Sequence, residues 1–518
     1  MKKIIFNLSL SVMMLGLCGC VASCSDDDNN IAYGAFSVDQ TEITFSGNEA
    51  DTTMLAVTSP SDWKVEVSAD WLQLPSGATA YGTPGNATNI FFYAEENTAE
   101  DNRSATITFT NLANSSEVIT VTVVQPGRKP FQYTDANSAA PAGMQSNATK
   151  ILKDINTGWN LGNTMESDGA DETAWGNPMT AKPMIDALKA QGFNAIRIPV
   201  RWYLHADAEL NINAAWMARV KEVVDYAYSQ GMYVILNSHH DNWYDRIVPG
   251  ALGESKEGIL TKFNNMWTQI ANTFKDYDEH LLFAGTNEVI YISQGEEVWT
   301  EPTNEELFVY MNDLNQTFVN AVRAAAGNNA WRTLIVQPWA SDPDMALKHF
   351  VKPTDTVENR LMLEFHFYQP WNFCQQSGDD SKGENMYYWG APYTDLTYST
   401  NTENDIIKLF DDLKYNFVDK GLPVIMGEYG AVKHQKNSAN LTFGINYTKS
   451  EESRAYYLEF VVKQAKNHGF AAFFWDNNCF DTTGENFGLF DRSNNMAVYS
   501  EIAVQGIQRG AQSGAYPF

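Results

Sequence analysis

The chain has 518 residues, 44% of them hydrophobic, so two or three domains with ample cores are expected. Its 35 Lys and Arg face 63 Asp and Glu, and the net charge of −28 repels nucleic acids and anionic polysaccharides while being compatible with a neutral polymer. The 14 Trp, 24 Tyr and 28 Phe are a heavy aromatic load, and flat rings beyond the needs of a core suit a cleft that stacks on pyranose faces.

Lys2 and Lys3 precede the apolar run IIFNLSLSVMMLGLCG, which has the form of an export signal and is too short for a convincing membrane span. It leads into VASC, ending at Cys24, and then SDDDNN. The junction resembles a bacterial lipobox, with cleavage before Cys24 and lipid on its thiol; an ordinary signal cut nearby, or a cut before Cys20, is the alternative. Asp26, Asp27 and Asp28 resemble the surface-export signal of Bacteroidetes lipoproteins, and physically they are also a hydrated tether. The resemblance implies a signal peptide over 1–23, a tether over 24–33, and a protein anchored through Cys24 to outer-membrane lipid, facing the cell exterior. Beyond that region only Cys374 and Cys479 remain, too few for a disulfide framework or a thiolate metal cluster. One bridge between them and two free thiols are both open readings.

Residues 34–127 alternate apolar and polar positions at period two in runs such as SATITFTNLA and SEVITVTVVQ, separated by turn residues. That pattern predicts a small all-β sandwich. SDWKVEVSADWLQLPSG, EDNRSATITFT and TVTVVQP together resemble the BACON domain, an immunoglobulin-like module, here read as a spacer. Trp63 and Trp71 sit in its strand-like runs, where core packing is the commoner role and a carbohydrate platform the rarer one. Over 128–149 the periodicity stops, and Gly, Pro, Ser and Ala mark a moderately stiff connection.

From 150 to 518 short apolar strands alternate with amphipathic helices. The strand candidates are INTGWNLGN, NAIRIPV, YVILNSHH, HLLFAGTNE, RTLIVQPW, NRLMLEFHFY, LPVIMGEYG and FAAFFWDNN. Eight β-α units predict a (β/α)8 TIM barrel of the α/β class, and the glycine-rich phosphate signature of a doubly wound sheet is absent after the first strand. Each run is apolar until its C-terminal end, where Asn163, Arg197, His239 with His240, Asn287 with Glu288, His366 with Tyr368, Glu428 and Trp475 appear. In a barrel those ends share one rim. Glu288 and Glu428 supply the two carboxylates that glycosidic hydrolysis needs, one to protonate the leaving oxygen and one to face the anomeric carbon.

GWNLGNTME, AWGNP, NAIRIPV, ILNSHHDNW, TNE, EFHFY, IMGEYG and FFWDNN together resemble glycoside hydrolase family 5, within its endo-β-1,4-glucanases and xyloglucanases, over 150–515. The resemblance implies Glu288 as acid/base and Glu428 as nucleophile, with Asn287 on the sugar 2-hydroxyl. It implies Arg197 and Tyr368 on Glu428, His366 near Glu288, His239 and His240 lining the cleft, and Trp475 under the sugar at the cut. Trp159, Asn163 and Trp243 are lesser candidates for the glycone side. Such chemistry places a low pKa on Glu428 beside Arg197 and a raised one on Glu288. Around the acid/base the family usually has Met before Asn and Pro after Glu; Thr286 and Val289 depart from this, and the loss of proline is expected to loosen the turn.

The three histidines on the rim invite a metal reading, yet this hydrolysis needs no Lewis acid, so no metal or cofactor is expected. The expected partner of a monomeric enzyme is a neutral β-glucan, with no nucleic acid. Xyloglucan leads, and unbranched or mixed-linkage β-glucan follows. The competing reading from another class is a non-catalytic glycan-binding lipoprotein.

Overall fold

The computed structural model describes residues 33–45, 51–75, 80–127, 131–134, 139–247, 255–375, 385–396, 402–435, 444–480 and 485–518. The expected signal peptide and Cys24 lie outside the described residues, as does the tether up to 32. The chain divides into two compact units, one ending at Arg128 and the other running from Lys129 to Phe518.

The first unit is a two-sheet sandwich. One sheet orders Ser37–Val38, Asp51–Ser59, Gly85–Ala94 and Leu72–Gln73; the other orders Glu42–Thr44, Val118–Gln125, Arg103–Asn111, Trp63–Val67 and Tyr81–Gly82. Alternate residues such as Leu55, Val57, Phe92, Ile107, Phe109 and Val121 turn inward and bury the space between. Trp63 is a core residue whose ring lies on Gly82, where a Cβ would come within 2.1 Å of it. Trp71 packs half-buried on the same core under the Arg103 guanidinium, 4.4 Å from its ring.

The second unit is a closed ring of eight parallel strands: Gly158–Leu161, Ala195–Ile198, Tyr233–Asn237, Leu281–Ala284, Leu334–Val336, Leu361–Phe367, Val424–Tyr429 and Phe470–Asp476. They coincide with the eight apolar runs, because a strand covered on both faces reads as a continuous hydrophobic stretch. Amphipathic helices including Lys182–Ala190, Ala214–Tyr228, Lys256–Thr273, Glu305–Ala324, Glu403–Asn416 and Tyr447–Asn467 turn their apolar stripes onto the outside of the ring. Inside the ring, Ile235, Leu282, Ile335, Met362, Ile425 and Phe473 pack with Ile151 and Leu152 of the short helix Ala148–Asp154.

That helix is capped by Asn147, whose side chain accepts from Lys150 N. Of the stretch read as a connection, the described residues 131–134 and 139–149 dock on the barrel. Phe131 N donates to Asp419 O at 2.8 Å, Tyr133 packs 4.8 Å from Phe518, and Ser146 donates to Glu279 through both N (2.8 Å) and Oγ (2.7 Å). Composition pointed to a connection, and without periodicity these isolated anchors on the barrel had no signal in the sequence. Cys374 and Cys479 are not joined by a disulfide, and the buried Cys374 Sγ lies 3.1 Å from Tyr457 Oη.

Candidate active site

The polar ends of the barrel strands converge on a cleft of about 950 Å³. Its floor is built on Arg197, which sits in the second strand with its side chain directed into the ring and fully buried. From Nη1 it donates to Glu428 Oε1 (2.8 Å) and Asn160 Oδ1 (3.0 Å), from Nη2 to Asn287 Oδ1 (2.7 Å), and its Nε lies 3.0 Å from Glu364 Oε1. A guanidinium serves here because its planar fork addresses several acceptors at once.

Glu364 and His366 are two apart on the sixth strand and so share its inner face. Glu364 accepts from Gln337 Nε2 (2.8 Å), and its carboxylate lies 3.4 Å from His366 Nε2. The other ring nitrogen, Nδ1, stands 2.6 Å from Glu288 Oε1 and 3.6 Å from Glu428 Oε2. Burial opposes the charge on His366, but Glu428, Glu288 and Glu364 outweigh it, and its pKa is pushed up to about 10. Tyr368 Oη donates to Glu428 Oε2 at 2.9 Å. Between strands six and seven the register shifts, so that Phe365 faces Met426 and His366 faces Glu428, with Gly427 as the extra residue.

The carboxyl pKa values run opposite to expectation. Burial raises Glu288, yet the protonated His366 and then Arg246 bring it below the usual carboxylate range. Burial raises Glu428 and, aided by the charge of Glu288, prevails over His366, Arg197 and the Tyr368 hydroxyl. His366 is near Glu288 as expected, but its 2.6 Å contact is that of a cation and so outweighs the burial that favours the protonated acid. The two carboxyls titrate as a unit. With Arg197 and His366 cationic against Glu288, Glu364 and Glu428, one further proton makes the cluster neutral.

His239 and His240 line the cleft as neutral rings, burial holding His239 well below its ordinary value and His240 at about 3. Asn237 and Asn287 flank His239 with side-chain amides at 3.2 and 3.3 Å. Trp475 lies parallel to His239, 5.8 Å away, and forms part of the cleft wall with Asn163, whose φ of 56° bends the chain there. Arg197 and Asn287 lie buried beneath the cleft lining, and Trp159 and Trp243 lie away from it. Trp159 is buried among the outer core and donates from Nε1 to Asp476 Oδ2 at 3.0 Å, because strand alternation sends Asn160 inward and its neighbour outward. Trp243 packs on that core beside Tyr244, and it is Asn242 that reaches the cleft.

Several site residues escaped the sequence reading: Glu364, Arg246, and the partly exposed cleft residues Trp175 and Trp299. Glu364 had a signal, an acid inside the otherwise apolar run LMLEF; the tryptophans lie in loops without period. In the long aromatic segment after strand six, Trp371 lines the cleft, while Tyr387, Tyr388 and Trp389 are buried.

The donor atoms of Glu288, His366 and Glu428 all lie within 4.8 Å of one another. Such a spacing could hold a metal ion, but a histidine kept protonated and directed at Glu288 has no free lone pair at Nδ1. The geometry instead suits two carboxyls sharing a proton across one bond. A family model described as cellulase, glycosyl hydrolase family 5, matches residues 154–481 of the chain.

The chain belongs to glycoside hydrolase family 5.

A second model, described as a putative N-terminal binding domain and known as BACON, matches residues 61–125. The chain is 32% identical over 523 residues to a xyloglucan-specific endo-β-1,4-glucanase of Bacteroides ovatus, covering 98% of this chain and 96% of that one. Among solved structures it is similar to a Bacteroides ovatus family 5 xyloglucanase in complex with a XXXG heptasaccharide, at TM-score 0.64 and 29% identity, with 92% of this chain and 100% of that one covered. It is also similar to a broad-specificity endoglucanase of Ruminococcus champanellensis with bound cellotriose, at TM-score 0.60 and 34% identity, with 72% and 100% covered. This family 5 chain is a glycoside hydrolase with a (β/α)8 barrel and a BACON-type sandwich before it.

Proposed function

We propose that this family 5 enzyme is a retaining endo-β-1,4-glucanase whose main substrate is xyloglucan, with Glu428 as nucleophile and Glu288 as acid/base. The observation that carries the mechanism is the approach of the two carboxyls, with oxygens inside 4.8 Å. It favours the short spacing of retaining enzymes, about 5–5.5 Å, over the ~6.5–9.5 Å that leaves room for an inverting water. Glu428 Oε1 is held by Arg197 and Oε2 by Tyr368, which fixes its aim and stabilises its charge.

In the competent form the shared proton rests on Glu288 and Glu428 is ionised. Substrate favours this arrangement, since the leaving oxygen accepts from Glu288 and the anomeric carbon develops positive charge facing Glu428. Attack of Glu428 forms the glycosyl-enzyme as Glu288 protonates the departing chain. Glu288, now ionised beside His366, then takes a proton from the water that releases the sugar. In this reading Asn287, held by Arg197, bonds the 2-hydroxyl, and the neutral His240 can donate to and accept from another hydroxyl, while His239 has both ring nitrogens against asparagine amides.

The choice of xyloglucan rests on the Bacteroides ovatus relatives and on an open cleft with three part-exposed tryptophans. The similarity to a broad-specificity enzyme favours unbranched β-glucan as the second reading. Incubation with xyloglucan, mixed-linkage glucan and carboxymethylcellulose, with products sized, tests the choice; intact xyloglucan alongside a cut unbranched glucan would overturn it. Glu428→Gln should abolish turnover, and Glu288→Ala supplied with azide should yield a glycosyl azide of retained configuration. The apolar run, VASC and the acids after it support anchoring through Cys24 to the outer membrane, facing outward. Labelling with a tagged fatty acid that survives Cys24→Ala would refute that.

A further inference from the structure

Val289 stands where the family usually has proline, and the turn was expected to be loose. It is instead fixed carbonyl by carbonyl. Ser341 Oγ donates to Asn287 O (2.8 Å), Arg246 Nη1 to Glu288 O (2.9 Å), and Ala340 N to Val289 O (2.9 Å). Just before them, Thr286 donates to Gln337 Oε1 from both N (3.1 Å) and Oγ1 (3.0 Å), and Val289 itself is fully buried. A proline limits φ from within the chain; here hydrogen bonds from neighbouring loops restrain the same segment.

Arg246 differs from the other donors because it is charged and makes a second connection. Its Nε donates to Glu297 Oε1 at 2.8 Å, and its guanidinium stands 5.9 Å from the Trp299 ring. The strand Arg246–Ile247 pairs in parallel with Ile290–Ser293, which pairs antiparallel with Glu296–Val298. One mostly buried side chain thus joins the main chain of Glu288 to the hairpin that brings Glu297 and Trp299 to the cleft.

We propose that Arg246 is a positioning residue for the acid/base, holding the Glu288 carbonyl so that its carboxyl aims at the departing oxygen and tying that aim to the hairpin of Glu297 and Trp299. The proposal rests on Glu288 as acid/base. The cations facing Glu288 are His366 and Arg197 from the barrel strands and Arg246 from the short strand after strand three, with His240 a neutral titratable ring beside them. Against them stand the carboxyls of Glu428, Asp245 and Glu485, with the Tyr368 phenol. Among the cations Arg246 follows His366 in lowering the Glu288 carboxyl, so its removal lets that carboxyl rise.

The test compares Arg246→Gln and Arg246→Lys on whichever polymer the wild type cuts and on a dinitrophenyl β-cellobioside, whose leaving group needs little proton assistance. With Arg246→Gln, kcat/KM on the polymer should fall roughly ten- to a hundredfold, the basic limb of its pH profile should move to higher pH, and the aryl glycoside should keep most of its rate. Arg246→Lys, which keeps the charge, should leave the basic limb near the wild-type position. Equal losses on both substrates with an unmoved basic limb would overturn the proposal. Should Arg246→Gln fail to fold, Glu297→Ala removes the acceptor of Nε and should still depress the polymer rate relative to the aryl glycoside; an unchanged ratio overturns the proposal there as well. If Glu288→Ala retains full polymer activity, the acid/base reading itself fails and the role of Arg246 with it.

Discussion

Gly427 leaves the space that the Glu364 carboxylate fills: a Cβ at position 427 would stand 1.9 Å from Glu364 Oε1. That carboxylate is buried between Arg197, His366 and Gln337, so it has nowhere to retreat without breaking an ion pair. Gly427→Ala is therefore expected to destabilise the barrel by roughly 3–5 kcal/mol, the cost of uncoupling a buried charge pair. Because Glu428 follows directly, kcat should fall at least about a hundredfold in any fraction that folds. Thermal melts and kinetics on the purified variant check both, and a stable, active Gly427→Ala would show that Glu364 yields more easily than its contacts imply.

Tyr368 donates to Glu428 Oε2 while Arg197 occupies Oε1. Tyr368→Phe keeps the ring against Phe487 and removes only the hydroxyl. A hydrogen bond to a charged partner is worth about 1.5–3 kcal/mol, so kcat should drop roughly ten- to a hundredfold with KM little changed. The lost hydroxyl also lowered the Glu428 pKa. The acid limb of the profile should therefore shift to higher pH, which titrated initial rates would reveal.

The barrel was legible because strands buried on both faces leave apolar runs, and because polar residues at their C-terminal ends have a shared destination. Strand alternation explains the misreading of Trp159: it is one residue from Asn160, and only one of the two can face the ring. The proton affinities of Glu288 and Glu428 were not legible, since they turn on His366 lying 2.6 Å from one and 3.6 Å from the other. Nor was Arg246, whose partners at 288 and 297 are joined only through a small sheet that no hydrophobic period announces.

Conformational stability should be greatest in mild acid. Burial raises Glu166 and Asp241 to about 7 and Asp245 to about 6, and Glu428 is raised too. A raised acid contributes fully below its unfolded value and loses that contribution as pH climbs through the folded one, here from about 4 to about 7. His366, raised to about 10, contributes fully below its ordinary 6.5 and loses that contribution as pH rises toward 10. Glu288 and Glu364 are lowered, so their contribution is present above the ordinary 4.5 and disappears as pH falls below it. Calorimetry should place the barrel's highest Tm near pH 5, with a decline of several degrees by pH 9. A Tm that rises from pH 5 to 9 would contradict this charge arrangement.

Three tryptophans at the cleft keep much of their surface exposed: Trp175 at 42%, Trp299 at 49% and Trp371 at 58%. Each is braced rather than free. Trp175 stands 5.8 Å from the Arg201 guanidinium and edge-on to His240, Trp299 lies by Arg246, and Trp371 begins the short helix Trp371–Cys374. A braced flat ring loses little freedom when a sugar covers it, and covering an aromatic side chain is worth about 1.5–3 kcal/mol. Replacing any one with alanine should lower kcat/KM on long chains roughly ten- to a hundredfold, mostly through KM. The loss should be smaller on oligosaccharides too short to reach the missing ring, so kinetics on cello-oligosaccharides of increasing length would rank the three by distance from the cut. A variant that loses equally at every chain length must act on the carboxyls themselves, and that outcome would remove its ring from the substrate path.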